Sequence, residues 1–61
     1  MTSREKDILR CLAQGMSTPT VAKKLSIARV TVRNHVQNIL QKLNVHSKLE
    51  AVVLAHKHQL I

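Results

Sequence analysis

The sequence of 61 residues contains no Phe, Tyr or Trp. Single-strand binders and RNA-recognition sheets stack bases on aromatic rings, and interfacial membrane helices are anchored by Trp, so the sequence disfavours these modes of binding. Any hydrophobic core must therefore be built from aliphatic side chains. Because so short a chain cannot enclose two cores, we expect one small domain that covers residues 1–61.

Cysteine, acidic residues and long apolar runs are also scarce. Cys11 is the one cysteine and cannot form an internal disulfide, so a cytoplasmic location is expected. We predict that its side chain is packed in the fold, and a redox role is the alternative. No apolar stretch reaches the ~18 residues of a membrane span, and residues 1–6 lack the apolar stretch of a signal peptide. The three acidic residues offer no carboxylate pair for an enzyme, and the four His lack metal-ligand spacing, so no metal or other cofactor is expected.

The charge, by contrast, is strongly one-sided. Ten Lys and Arg against three Asp and Glu give a net charge of +7 and a pI near 10.6. Such an excess indicates a polyanionic partner, and the scattered basic residues without an aromatic edge disfavour a membrane. Duplex DNA is the favoured partner. The alternative is a small basic scaffold that binds an acidic protein, and a steep loss of affinity with salt together with preference for one duplex would distinguish DNA binding from it.

With one Gly and one Pro, few residues interrupt helix formation, and capping signals divide the chain into four segments. Thr2 and Glu5 form a capping-box pattern that begins the first helix, and Gly15 supplies the left-handed residue that ends it. Pro19 is typical of a first helical turn. Asn44 is suited to end the third helix. We predict an all-α fold with helices at about 3–14, 18–25, 29–43 and 48–58.

The fourth segment begins with a second capping-box pattern, from Ser47 to Glu50. Its first two turns are apolar at nearly every position. This gives more apolar residues than one core-facing side of a helix can bury. We expect Ala51, Leu54 and Ala55 to pack on the core. Leu49, Val52 and Val53 are then left for a partner surface.

The second and third segments are a short helix, a three-residue turn and a longer helix, which is the helix-turn-helix arrangement. One side of the longer helix is apolar, and the opposite side carries Val30, Asn34, Gln37 and Gln41 with Arg33 on its flank. Arg can bond bidentately to guanine, and Asn or Gln to adenine, in the major groove. The alternative is that these side chains are merely a solvated face.

Six ordered segments resemble the LuxR-type helix-turn-helix domain, the DNA-binding output domain of NarL-like response regulators in two-component systems. The resemblance covers almost the whole chain at matching spacing, in TSRE (2–5), LAQGMS (12–17), VAKKLSI (21–27), TVRNHV (31–36), ILQKLNV (39–45) and SKLEAV (47–52). Both an output domain of a longer regulator and a free-standing small regulator of the GerE type fit this pattern.

The resemblance implies sequence-specific binding of duplex DNA for bacterial transcription regulation, with the third helix in the major groove and the fourth helix forming a homodimer on DNA. It implies base contacts by Arg33, Asn34 and Gln37. It also implies a receiver or sensor domain outside these residues, with RNA polymerase as a candidate partner. The phosphate contacts would fall on hydroxyl and basic side chains, namely Ser17, Thr18, Thr20, Arg29, Thr31 and Lys42.

Three positions depart from the LuxR-type pattern. The family commonly has Ser or Thr where this chain has Ala28, which predicts a weakly capped third helix. It often has an acidic residue where this chain has Arg29, which adds a cation near the expected DNA. Pro19 replaces the usual polar residue early in helix two, so no side-chain phosphate contact is expected there.

Overall fold

Four helices and no strand form the fold in a computed structural model that describes residues 1–61. The helices are α1 (Ser3–Ala13), α2 (Thr18–Leu25), α3 (Arg29–Leu43) and α4 (Lys48–Lys57). The predicted all-α helix-turn-helix fold is confirmed. Helices α1 and α4 each end one residue earlier than predicted, because Gln14 and His58 are C-caps and not the last helical residues.

Both ends of α1 follow the predicted capping chemistry. The Glu5 amide donates to Thr2 Oγ1 at 3.2 Å, and the Thr2 amide donates to Glu5 Oε1 at 2.9 Å. At the other end Gly15 has φ +82°, and the Met16 amide donates to the Cys11 carbonyl at 3.1 Å. The reversal at Gly15 directs the chain into α2.

The turn between α2 and α3 is short and tightly hydrogen-bonded. Ser26 adopts the left-handed conformation at φ 57°, and the Ile27 amide donates to the Ala22 carbonyl at 3.0 Å. Ala28 then has extended backbone angles and is the N-cap of α3, where no side chain accepts a hydrogen bond. The predicted three-residue corner and the missing hydroxyl cap are both observed.

The connection from α3 to α4 contains one correction to the predicted capping. Asn44 ends α3 at φ 56°, as expected, and the Val45 amide donates to the Leu40 carbonyl at 3.0 Å. Ser47 Oγ accepts from the Glu50 amide at 3.1 Å. The Glu50 carboxylate, however, accepts from the amide of His46 at 3.0 Å and not from that of Ser47, so the second capping box lacks its predicted return bond.

A purely aliphatic core lies between the four helices, apart from one buried cysteine. The apolar stripe predicted for α3 is confirmed, because Val32, Val36 and Ile39 are buried. The small side chains of Ala51 and Ala55 allow α4 to pack closely against the other helices. The ten buried core residues are Ile8, Leu9, Cys11, Val21, Ala22, Val32, Val36, Ile39, Ala51 and Ala55.

The flanks of α4 are exchanged relative to the prediction. Val52, expected on the outward side, is half-buried and packs against the core. Leu54, expected in the core, is half-buried at an open groove on the outer side. Both residues lie at nearly equal rotations from the line through Ala51 and Ala55, so helical periodicity alone does not distinguish them. The neighbouring helices cover one flank and leave the other open.

None of the four helices combines the length and apolar character needed to cross a membrane.

Candidate nucleic-acid interface

The three predicted base-contacting residues lie together on the outward side of α3. Arg33, Asn34 and Gln37 are all exposed, while Val32 and Val36 on the opposite side are buried. The spacing places the three exposed side chains on adjacent turns of one helical face. This face, with its guanidinium and two amide groups, has the hydrogen-bonding groups that read guanine and adenine edges.

At the start of α2, hydroxyl and amide groups are left available. The Ser17 side chain makes no cap bond to the backbone, and its Oγ lies 3.0 Å from Thr20 Oγ1. Ser17 and Thr20 are exposed, and Thr18 is half-buried. Pro19 lacks an N–H, so the free backbone donors of this first turn belong to Thr18 and Thr20. No acidic residue occupies the turn, and its positive dipole end is uncompensated.

The start of α3 is similar. Ala28 offers no side-chain acceptor, no acidic residue lies in the first turn, and Arg29 adds a cation. Arg29 is exposed and shares an open groove with Lys23 and Thr20. Thr31, the other predicted phosphate contact here, is half-buried. A cation at a helix N-terminus opposes the helix dipole, so its placement is not explained by helix stability.

A cleft of about 450 Å³ joins the starts of α2 and α4 across the outward side of α3. It brings Thr18 together with Arg33 and Gln37, and it adds Lys48, which the sequence did not single out. No carboxylate lines it. Lys48 follows the N-cap of α4, but only the packing of α4 against α3 places it beside α3. The lining residues are Thr18, Arg33, Val36, Gln37, Leu40, His46, Ser47 and Lys48.

Lys42 differs from the other predicted phosphate contacts because its ammonium has an internal partner. Lys42 Nζ lies 2.6 Å from Oε1 of Glu5, whose side chain is 3% exposed. The hydrogen bond from Lys42, aided by that from the Thr2 amide, lowers the pKa of Glu5 from 4.5 to about 2, against the opposing effect of burial. This pair ties the end of α3 to the start of α1.

All three acidic side chains are engaged within the fold. Glu5 pairs with Lys42, Asp7 pairs with Arg10 at 3.3 Å, and Glu50 accepts from a backbone amide. Two of the ten Lys and Arg therefore have a carboxylate partner, and eight have none. The positive field around α2 and α3 is not cancelled by carboxylates on that side of the domain.

The outer side of α4 carries an apolar groove. Leu49 and Val53 are 74% and 58% exposed, and with the half-buried Val45 and Leu54 they line its apolar part. Two of the three predicted dimer residues therefore lie together. The third, Val52, lies on the core-facing flank and does not line the groove.

The remaining chemistry-bearing residues form no cluster. The structure contains no group of three or more His, Cys, Asp or Glu that could hold a metal ion. Cys11 is buried at 4% exposure, as a packed residue.

Known sequences identify the family. Residues 1–55 match the family described as bacterial regulatory proteins, luxR family. The nitrate/nitrite response regulator protein NarL of Escherichia coli is 38% identical over 98% of this chain, and the response regulator protein VraR of Staphylococcus aureus is 43% identical over all of it. The chain spans only 28% and 29% of the length of these two relatives.

Solved structures agree with the sequence match. The transcription factor GerE has 33% identity and a TM-score of 0.93, with 98% of this chain and 90% of that one covered. The response regulator ChrA, of a heme-sensing two-component system, has 38% identity and a TM-score of 0.96, with 98% of this chain and 30% of that one covered. The chain belongs to the luxR family of bacterial regulatory proteins, as a helix-turn-helix DNA-binding domain of that family.

Proposed function

We propose that the domain binds a specific sequence of duplex DNA, with α3 lying in the major groove, and thereby regulates transcription. The observation that carries this proposal is the exposed face of Arg33, Asn34 and Gln37, bordered by uncapped helix starts and unpaired cations. A B-DNA major groove admits one α-helix, and these three side-chain types recognise purine edges there.

Backbone phosphates position α3 in this proposal. Hydroxyl groups and free amides at the start of α2 bind backbone phosphates, through Ser17, Thr18 and Thr20. Neighbouring phosphates are bound by Arg29 and Thr31 at the start of α3. Lys48 adds a contact through the cleft that joins α2 to α4. Lys42 can bind a phosphate only if its ammonium breaks the ion pair with Glu5, so it is the weakest of the predicted phosphate contacts.

We further propose that two copies pair on DNA through the apolar groove of α4. Leu49 and Val53 supply its exposed part. A surface of this size buries on the order of a few hundred Å² per subunit, well below the ~800 Å² per partner of a stable interface. The free domain is therefore monomeric at micromolar concentration, and DNA raises the effective concentration of the second copy.

The names and lengths of two relatives support a proposal for how binding is controlled. NarL and VraR are named as response regulators, and this chain matches less than a third of either. We propose that a receiver or sensor domain governs pairing of this domain in the cytoplasm, and that the DNA-bound dimer acts on RNA polymerase.

Selection of bound duplexes from a random library tests the proposed function. We expect one preferred half-site, repeated about 10 bp apart, and an affinity that falls steeply with salt. The matched variants Lys48→Gln and Lys57→Gln both remove an exposed charge from α4, but Lys57 is outside the cleft. They are compared on a duplex with one half-site, because Lys57 borders the groove proposed for pairing. Lys48→Gln makes the slope of log K against log salt less steep by about 0.9, while Lys57→Gln leaves the slope unchanged. Binding to every duplex with equal affinity would contradict sequence-specific recognition.

A further inference from the structure

One exposed apolar side chain lies beside the polar side chains on the outward side of α3. Val30 is 59% exposed, although valine in a helix is usually placed on the buried side. The other exposed large apolar residues are Met1 at the chain start and Leu49 and Val53 in the groove of α4. Within the four helices, Val30 is the one exposed large apolar residue that lies outside the apolar groove of α4.

The position of Val30 relative to the polar residues is regular. Val30, Arg33, Asn34 and Gln37 follow the spacing i, i+3, i+4 and i+7, which places them on one face of α3. Val30 and Gln37 differ by only about 20° around the helix axis. Val30 is the second residue of α3, and recognition helices contact base edges through their N-terminal residues.

We infer that Val30 is a specificity-determining residue that contacts the C5-methyl group of a thymine in each half-site. Thymine alone among the four bases presents a methyl group in the major groove, and small apolar side chains recognise it by contact. A phosphate or sugar contact would favour a hydroxyl or a cation at this position, as occurs at Arg29 and Thr31 on either side. The inference rests on the proposed placement of α3 in the major groove.

Replacement of single thymines by deoxyuridine tests the contact, because it removes only the methyl group. A duplex with one preferred half-site is used, so that pairing of two copies does not enter. We expect the unmodified protein to lose about fourfold in affinity at one thymine, the equivalent of one buried methyl group. The Val30→Ala variant, which should fold because Ala favours helices, binds the thymine and deoxyuridine duplexes with nearly equal affinity.

A cytosine at the same position gives an independent measurement. Methylation of that cytosine at C5 restores the methyl group without restoring thymine, and it strengthens binding of the unmodified protein but not of Val30→Ala. Asn38→Ala, which changes an exposed residue of α3 outside the spacing of Val30, keeps the discrimination between thymine and deoxyuridine.

Two results would overturn the inference. One is a preferred half-site in which no thymine can be distinguished from deoxyuridine, and the other is full discrimination by Val30→Ala. Both leave sequence-specific binding intact. Absence of any preferred duplex would instead refute the proposed function itself.

Discussion

Removal of the Lys42 ammonium will show how far the ion pair between α1 and α3 stabilises the fold. Lys42→Gln leaves the carboxylate of Glu5 buried, with the backbone amide of Thr2 as its remaining hydrogen-bond donor. Hydrogen bonds to charged groups contribute about 1.5–3 kcal/mol. Because the Lys42 side chain is 47% exposed, water screens part of the interaction, and we expect a loss of about 1–2 kcal/mol at neutral pH.

The pH dependence gives the loss a specific signature. The pKa of Glu5 is lowered from 4.5 in the unfolded chain to about 2 in the fold, so the ionised carboxylate stabilises the protein fully above about pH 5. That contribution is lost as the pH falls through 4.5 towards 2. In Lys42→Gln the pKa of Glu5 moves back up, so the difference in stability between the two proteins narrows over the same range.

Urea unfolding at several pH values between about 3 and 7 measures both effects as free energies of unfolding. In thermal unfolding, each kcal/mol corresponds to a shift of about 4–8 °C in Tm for a domain of this size. The control is Arg10→Gln, which breaks an exposed pair with Asp7 and should cost at most about 0.5 kcal/mol. Equal losses for the two variants at neutral pH, or a Lys42→Gln loss that does not change with pH, would refute the reasoning.

The same variant tests the role of Lys42 in DNA binding. In DNA titrations, a salt slope for Lys42→Gln equal to that of the unmodified protein would rule out Lys42 as a phosphate contact.

Two further predictions concern α3. Arg33→Ala or Gln37→Ala should cost about 1–3 kcal/mol on the preferred duplex and little on random DNA, with a smaller effect for Asn34→Ala; equal losses on both DNAs in titrations would make these residues phosphate contacts. Ala28→Ser should raise the free energy of unfolding by about 0.5–2 kcal/mol, because Ala28 is an N-cap without a side-chain acceptor. Ala28→Asp should also stabilise the fold yet weaken DNA binding, and an unchanged denaturation midpoint for Ala28→Ser would reject the capping argument.

Local chemistry made most of the fold predictable from the sequence. The capping pattern at Thr2 and the left-handed residues Gly15 and Asn44 act within a few residues, so the helix boundaries follow from nearest neighbours. Periodicity then separates the buried side of α3 from its exposed side. The candidate base contacts could be named for the same reason, together with the resemblance to LuxR-type domains.

Features that depend on packing between distant segments were not predictable. The Lys42–Glu5 pair joins residues 37 positions apart, and no local pattern indicates it. Lys48 enters the cleft only because α4 packs with its first turn beside α3. On α4 itself, Val52 and Leu54 flank the core-facing line at similar angles, and only the packed helices determine which flank is covered.

That exchange of flanks determines how pairing through α4 is tested. Val53 is 58% exposed in the apolar groove, so Val53→Glu should leave the monomer folded and its binding to a single half-site unchanged. Val52 packs against the core, so Val52→Glu would lower the stability of the monomer and would confuse loss of pairing with loss of folding. On a duplex with two half-sites, Val53→Glu should abolish cooperative occupation, because each copy then places a buried charge opposite its mate. Sedimentation with that duplex measures the stoichiometry, and a two-to-one complex formed with undiminished cooperativity would mean that the copies do not pair through this groove.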